Sequence, residues 1–318
     1  MALQIKIQNF YLTCFSLLKS LSSLAVLLTL LGFCKSPDIP FKKGLYNLGN
    51  PDHRYTMPAS LEEISGISWT GKGTLACIQD EDGIIYRYNL EKEKVVSKAK
   101  FGKDGDYEDI SIVKNTAYVL KSNGHIFRVK NFKKDEIKVK RYKTPLSSKN
   151  DAEGMVYDSS ESRLLIACKG SPSIEKENPH KGYRAVYSFD LGTNQLLEEP
   201  VYLIDLRKIE GYKDQGNFTQ ASSKLAKILG ITDPYGNFRP SGIAIHPLTD
   251  EIYMISSVGK LLVVLDREGY ILGVQALDPN LFRQPEGICF SPEGVLYISN
   301  EGRGGKGYVL KFKPKTYE

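Results

Sequence analysis

Three glutamates hold the same place in copies of one short motif: Glu108 in DYEDI, Glu153 in DAEGM and Glu286 in QPEGI. Serine takes that place in two further copies, as Ser65 in ISGIS and Ser241 in PSGIA. Asp109 follows Glu108 directly, Glu63 precedes Ser65 by two positions, and Glu301 stands in SNEG. Carboxylates gathered on one axis repel, and at roughly 6 Å with an effective dielectric of roughly 20 a pair costs about 3 kcal/mol. Such a group either keeps protons at raised pKa or binds a cation. Oxygen donors without paired His or Cys select a hard ion, and flexible loops favour calcium over magnesium. These residues therefore point to one calcium ion involving Glu108, Glu153 and Glu286, with Asp109, Glu63 and Glu301 as further ligands. The alternative is a ring whose acids accept backbone N–H groups or pair with Lys and Arg.

The elements that would position these side chains follow from the repeat. Ser65, Glu108, Glu153, Ser241 and Glu286 are spaced by 43, 45, 88 and 45 residues. After each motif come short strand-like runs separated by Gly, Asn or Asp turns; the first copy reads GISW, TLACIQ, IIYRYNL and KVVSKAKF. Four short strands per unit is the pattern of a propeller blade. The fold expected is all-β, a five-bladed propeller of four-stranded antiparallel blades, with six blades as the alternative because of the doubled interval. That interval is assigned to an insertion at 211–239, a loop with a short helix around SSKLAKILG. The fifth copy ends one strand short, and GLYNL or HRYTMP near the amino terminus supplies the missing strand. Closure in this way removes open edges. The glycine after position two is expected where innermost strands crowd the axis.

In this architecture position two of each motif shares a face with the turn between second and third strands. The turns QDEDG and SNEG bring Asp80, Glu81, Asp82 and Asn300 to the same mouth. Lys169, Arg184, Arg239, Arg283 and Arg303 stand nearby, as partners for carboxylates or as holders of an anion.

PSGIAIHPLTDEIYMISS and QPEGICFSPEGVLYISNEG resemble NHL-type repeats, and residues 45–316 resemble the SdiA-regulated (YjiK-like) family of bacterial proteins. The resemblance rests on DYEDI, DAEGM and QPEGI with their following strands, and on SNEG. It implies a five-bladed propeller behind an amino-terminal membrane or export segment, with a calcium site and no established enzymatic activity.

The remaining features bound the function. Residues 1–34 read as a signal peptide or anchor: LSSLAVLLTLLGFC is apolar, is preceded by Lys6 and Lys19, and is short for a bilayer span. LLGFC resembles a lipobox with Cys34 as the lipidated residue, departing from that pattern at Phe33. The chain is thus expected to be exported and membrane-anchored, facing the periplasm or cell exterior, with residues 35–318 as the propeller. Cys77, Cys168 and Cys289 lie in apolar runs and read as buried hydrophobes. The net charge of +6 is mild. The basic run FKKDEIKVKRYK is broken by Asp135 and Glu136 and reads as a solvated outer strand, not a nucleic-acid site. No Gly-x-Ser-x-Gly elbow occurs, His53, His125, His180 and His246 lack zinc spacing, and GRGGKG lacks the Ser or Thr and the helix of a phosphate loop. The function expected is a calcium-stabilised module that binds a ligand or an envelope protein at the mouth. The alternative is a calcium-dependent hydrolase of phosphoesters or lactones.

Overall fold

The computed structural model describes residues 44–212 and 238–315. Residues 1–34, expected as a signal peptide or anchor, and nearly all of the insertion expected at 211–239 lie outside the described residues. Every described strand belongs to the unit Lys43–Glu318. Among the described residues no helix is long and apolar enough to cross a membrane.

The unit is a five-bladed propeller. β1 (His53–Thr56) precedes the first full blade, β2–β5 (Ile64–Trp69, Thr74–Gln79, Ile84–Asn89, Lys94–Lys100). The second blade is β6–β9 (Tyr107–Val113, Thr116–Lys121, Ile126–Lys130, Lys138–Tyr142). The third contains β10 (Ala152–Asp158), β11 (Arg163–Cys168), β12 (Tyr183–Asp190), β13 (Gln195–Leu196) and β14 (Tyr202–Asp205), and a short helix α1 (Leu206–Gly211) follows. The fourth is β15–β18 (Arg239–Ile245, Ile252–Val258, Leu261–Leu265, Ile271–Ala276). The fifth is β19 (Pro285–Phe290), β20 (Leu296–Asn300) and β21 (Tyr308–Phe312), completed by β1. The innermost strands β2, β6, β10, β15 and β19 touch in that order, and β19 returns to β2. That closed ring excludes six blades.

The fourth strand of the last blade is HRYT. It pairs antiparallel with β21 from His53 opposite Lys311 to Thr56 opposite Tyr308. GLYNL does a different job: Tyr46 is buried among His246, Tyr253 and Phe290, between the fourth and fifth blades. His246 Nδ1 accepts the N–H groups of Leu248 and Thr249, so its proton sits on Nε2 and is donated to the Tyr46 hydroxyl at 2.9 Å. That hydroxyl in turn donates to the Gly294 carbonyl at 2.5 Å.

The core is not one central mass. Alternate residues of each strand point to opposite faces, so apolar side chains collect between neighbouring blades. Ala76, Ile78, Ile85 and Phe101 meet Val119, Val129 and Phe132 between the first two blades. Leu165 and Val186 meet Met254 and Val263 between the third and fourth. Cys77, Cys168 and Cys289 are buried free thiols. One departure from four plain strands occurs in the third blade, where the outer strand is split into β13 and β14, both paired with β12. Pro200 lies in the interruption and has no N–H to give to the ladder.

Candidate functional site

Every innermost strand carries a register shift at the motif. The shifts fall between Ile64 and Ile67, Tyr107 and Asp109, Ala152 and Gly154, Pro240 and Gly242, and Pro285 and Ile288. In each case the position-two residue drops out of the pairing. A β-bulge leaves its extra residue unpaired and re-aims the side chain. The repeated motif is thus a repeated bulge, and it frees Ser65, Glu108, Glu153, Ser241 and Glu286 from the ladder.

The next residue does the opposite work. A Cβ on Gly287 would stand 2.6 Å from Ser65 O and 2.8 Å from Ile67 N of the next blade, and one on Gly242 would stand 2.6 Å from Glu286 O. Backbone meets backbone there, as the crowding argument requires. Asp109 occupies this glycine position in the second blade, only 1% exposed. Its Oδ2 accepts Met155 N–H of the third blade at 2.6 Å and its Oδ1 accepts Ile110 N–H at 2.8 Å. Asp109 is a strut between blades, with both oxygens engaged by backbone.

Glu153 raises the pKa of both Glu108 and Glu286 by its charge. Glu153 is buried and receives the Lys169 ammonium at 2.7 Å. Burial raises the Glu153 pKa and Lys169 opposes the rise. Glu108 is raised by burial, then by Glu153 and Asp106. Glu286 is pushed up to about 8, first by burial and then by Glu153, against hydrogen bonding from Gln284 and the charge of Lys169. Among the described residues only Glu153 of the three forms an ion pair.

Glu63 and Glu301 form a second group beside Asp80, joined to the trio where Glu301 raises Glu286. Glu63 is raised first by Asp80, and Glu301 by burial and then by Asp80 and Glu63. The Glu301 carboxylate also accepts from Gln284 Nε2. The six acids singled out in the sequence thus divide into an axial trio, a flanking pair beside Asp80, and the Asp109 strut. Among the described residues no three His, Cys, Asp or Glu side chains converge as metal ligands. Calcium takes six to eight oxygens, and Lys169 already holds Glu153. The residues as they stand do not fit that ion.

Sequence reasoning missed Lys260. It stands in the turn between second and third strands of the fourth blade, the counterpart of QDEDG and SNEG, so the repeat register alone would have found it. Its Nζ donates to Ser257 O at 2.7 Å, and its pKa falls to about 8, mainly through burial and secondarily through Arg303, against the pull of Glu286. Of the other bases expected here, Arg184 donates from Nε to Phe238 O at 2.9 Å, while Arg239, Arg283 and Arg303 are exposed. Acids and bases are thus mixed at the mouth: Glu153 with Lys169 on the third blade, Lys260 on the fourth, and Glu286, Glu301 and Arg303 on the fifth. Carboxyl groups that keep protons near neutrality, beside one amine, Lys260, that loses its proton more easily, can bind charged groups or exchange protons with them.

No family model and no curated protein matches the chain. Among solved structures, the glutaminyl cyclase of Myxococcus xanthus superposes with a TM-score of 0.51 at 12% identity, covering 85% of this chain and 97% of that one. The PQQ-bound aldose sugar dehydrogenase of Streptomyces coelicolor gives a TM-score of 0.47 at 12% identity, over 84% of this chain and 98% of that one. Virginiamycin B lyase from Staphylococcus aureus gives 0.44 at 13% identity, over 82% and 69%. The chain is similar to the first of these in fold, and the likeness extends no further.

Proposed function

We propose that the chain is an exported, envelope-associated propeller of the SdiA-regulated type that binds a small cationic ligand, an amine-bearing molecule, at the axial mouth. One observation carries this reading: Glu108 and Glu286 leave the strand ladder at the same motif position as Glu153, both feel its charge, and among the described residues only Glu153 of the three has an ion-pair partner. A protonated amine entering between Glu108 and Glu286 supplies the missing charge and lets both carboxyl groups ionise. The basic groups beside Glu286 and Glu301, Lys260 and Arg303, would then receive the ligand's acidic or hydroxyl groups. Calcium, which the sequence resemblance implies, is the competing occupant.

The test is a thermal melt of the protein in EDTA, in calcium, and in a panel of small amines such as ethanolamine, putrescine and glucosamine, beside Glu286→Gln. An amine that binds only the folded state at about a hundred times its Kd adds about 2.7 kcal/mol. The expected result is a rise in midpoint with an amine, insensitive to EDTA and lost in the variant. A rise with calcium alone replaces the amine by the metal. No shift with any of them removes ligand binding from the mouth. The hydrolase alternative needs an open metal position beside the bases, and a rise with calcium would favour it over the amine.

A further inference from the structure

The outer edges of the first two blades carry charge that no part of the mouth uses. β5 exposes Lys94, Lys98 and Lys100, and β9 exposes Lys138, Lys140 and Arg141. Among the described residues none of these six forms an ion pair. Residues 94–100 and 128–143 together hold eleven basic and two acidic side chains, against a net +6 for the whole chain, so the remainder is net negative. The other edges differ. The third blade has Glu198 and Glu199 at the break in its outer strand, and β18 of the fourth has no charge at all.

Lysines on an open edge commonly block pairing with a second sheet. That role does not explain these two edges. All five blades have an outer strand, yet only these two concentrate bases. Each also exposes a valine among its lysines, Val96 at 41% and Val139 at 42%, and an exposed valine is what a protective edge avoids. Bases interleaved with small exposed apolar groups match a surface that is anionic outside and hydrocarbon just beneath. They do not match a nucleic-acid site, because the nearby rings are covered: Tyr86, Phe132 and Tyr142 are buried, with Lys98 over Tyr86 at 5.1 Å and Lys140 over Tyr142 at 4.8 Å.

We propose that the outer edges of the first and second blades dock the propeller edge-on against an anionic lipid surface. Lysine and arginine ammonium and guanidinium groups engage lipid phosphates, and Val96 and Val139 enter the headgroup boundary. The surface is separate from the mouth and does not depend on what the mouth binds.

The propeller unit 43–318 contains every described strand, including the closing one, and is the protein to use. Its sedimentation is measured with vesicles of phosphatidylcholine and with vesicles of equal parts phosphatidylcholine and phosphatidylglycerol, at low and high salt. The test variant carries Lys98→Gln, Lys138→Gln and Lys140→Gln. A charge-matched control carries Lys176→Gln, Lys181→Gln and Lys208→Gln, all exposed on the third-blade side. Melting curves establish that both are folded. The expected result is binding to anionic vesicles only, weakened on the order of a hundredfold in the test variant and little changed in the control. Val96→Ser with Val139→Ser should lower the part of the binding that survives salt. Equal binding to both vesicles, no binding to either, or equal loss in test and control variants would overturn the proposal. Displacement by a soluble polyanion with no effect of the valine changes would overturn it too, in favour of an anionic polymer.

Discussion

A carboxyl group buried among other carboxyls holds its proton, and Glu286 brings that behaviour into the neutral range. Its folded pKa of about 8 stands above the ordinary 4.5, chiefly through burial. Between those values the unfolded chain has released a proton that the folded chain retains, so this group's contribution to stability falls as pH rises from about 4.5 to about 8. Glu286→Gln keeps the shape of the protonated group and removes its titration. The variant should melt with the parent chain below pH 4.5 and progressively above it as pH rises towards 8. Discounted for solvent at an open mouth, a gain of about 1 kcal/mol corresponds to roughly 2–4 °C; identical pH profiles would show that Glu286 is already neutralised. At this scale the sequence exposed which acids repeat, because position two recurs with the blades. It could not expose Lys169 reaching Glu153, or Asp109 turning from ligand to strut, because those depend on which backbone N–H groups the next blade presents.

At the scale of the element, the motif divides its labour between adjacent residues: one bulges out of the ladder, the next admits the neighbouring blade. Gly287→Ala tests the second function. Its Cβ would meet Ser65 O and Ile67 N, and neither can move without separating the blades. A loss of about 1–3 kcal/mol is expected, read as a lower urea midpoint with unchanged slope. Gly49→Ala is the control, with its nearest atom 3.8 Å away, and should fall within about 0.5 kcal/mol of the parent. Equal effects would mean that chain flexibility, not close approach, explains the glycines. Strand count and order were readable because turn residues punctuate each blade. The division of the third blade's outer strand was not, since nothing in the pattern of QLLEEP marks Gln195–Leu196 as a second short strand on β12.

For the whole molecule, closure decides stability. Removing residues 44–56 would strip β1 from the edge of β21 and take Tyr46 and Tyr55 out of their aromatic contacts. Each buried aromatic contributes about 1.5–3 kcal/mol, against about 5–15 kcal/mol for a whole domain. The truncated chain should lose its sharp melt or aggregate; retention of a midpoint within a few degrees would show that the ring holds without its clasp. The blade number was legible because repeats count themselves, whereas the lopsided charge of the blade edges emerged only when two lysine-bearing runs proved to lie on neighbouring outer strands. The clasp also orders events in time. β1 leaves the ribosome before the other described strands and its partner β21 after them, so the earliest of these strands is the final one to find its place. Until β21 is made the chain carries an open ring with an unpaired edge at each end, and whatever holds the first segment during that interval governs whether the ring closes on itself or on a neighbour.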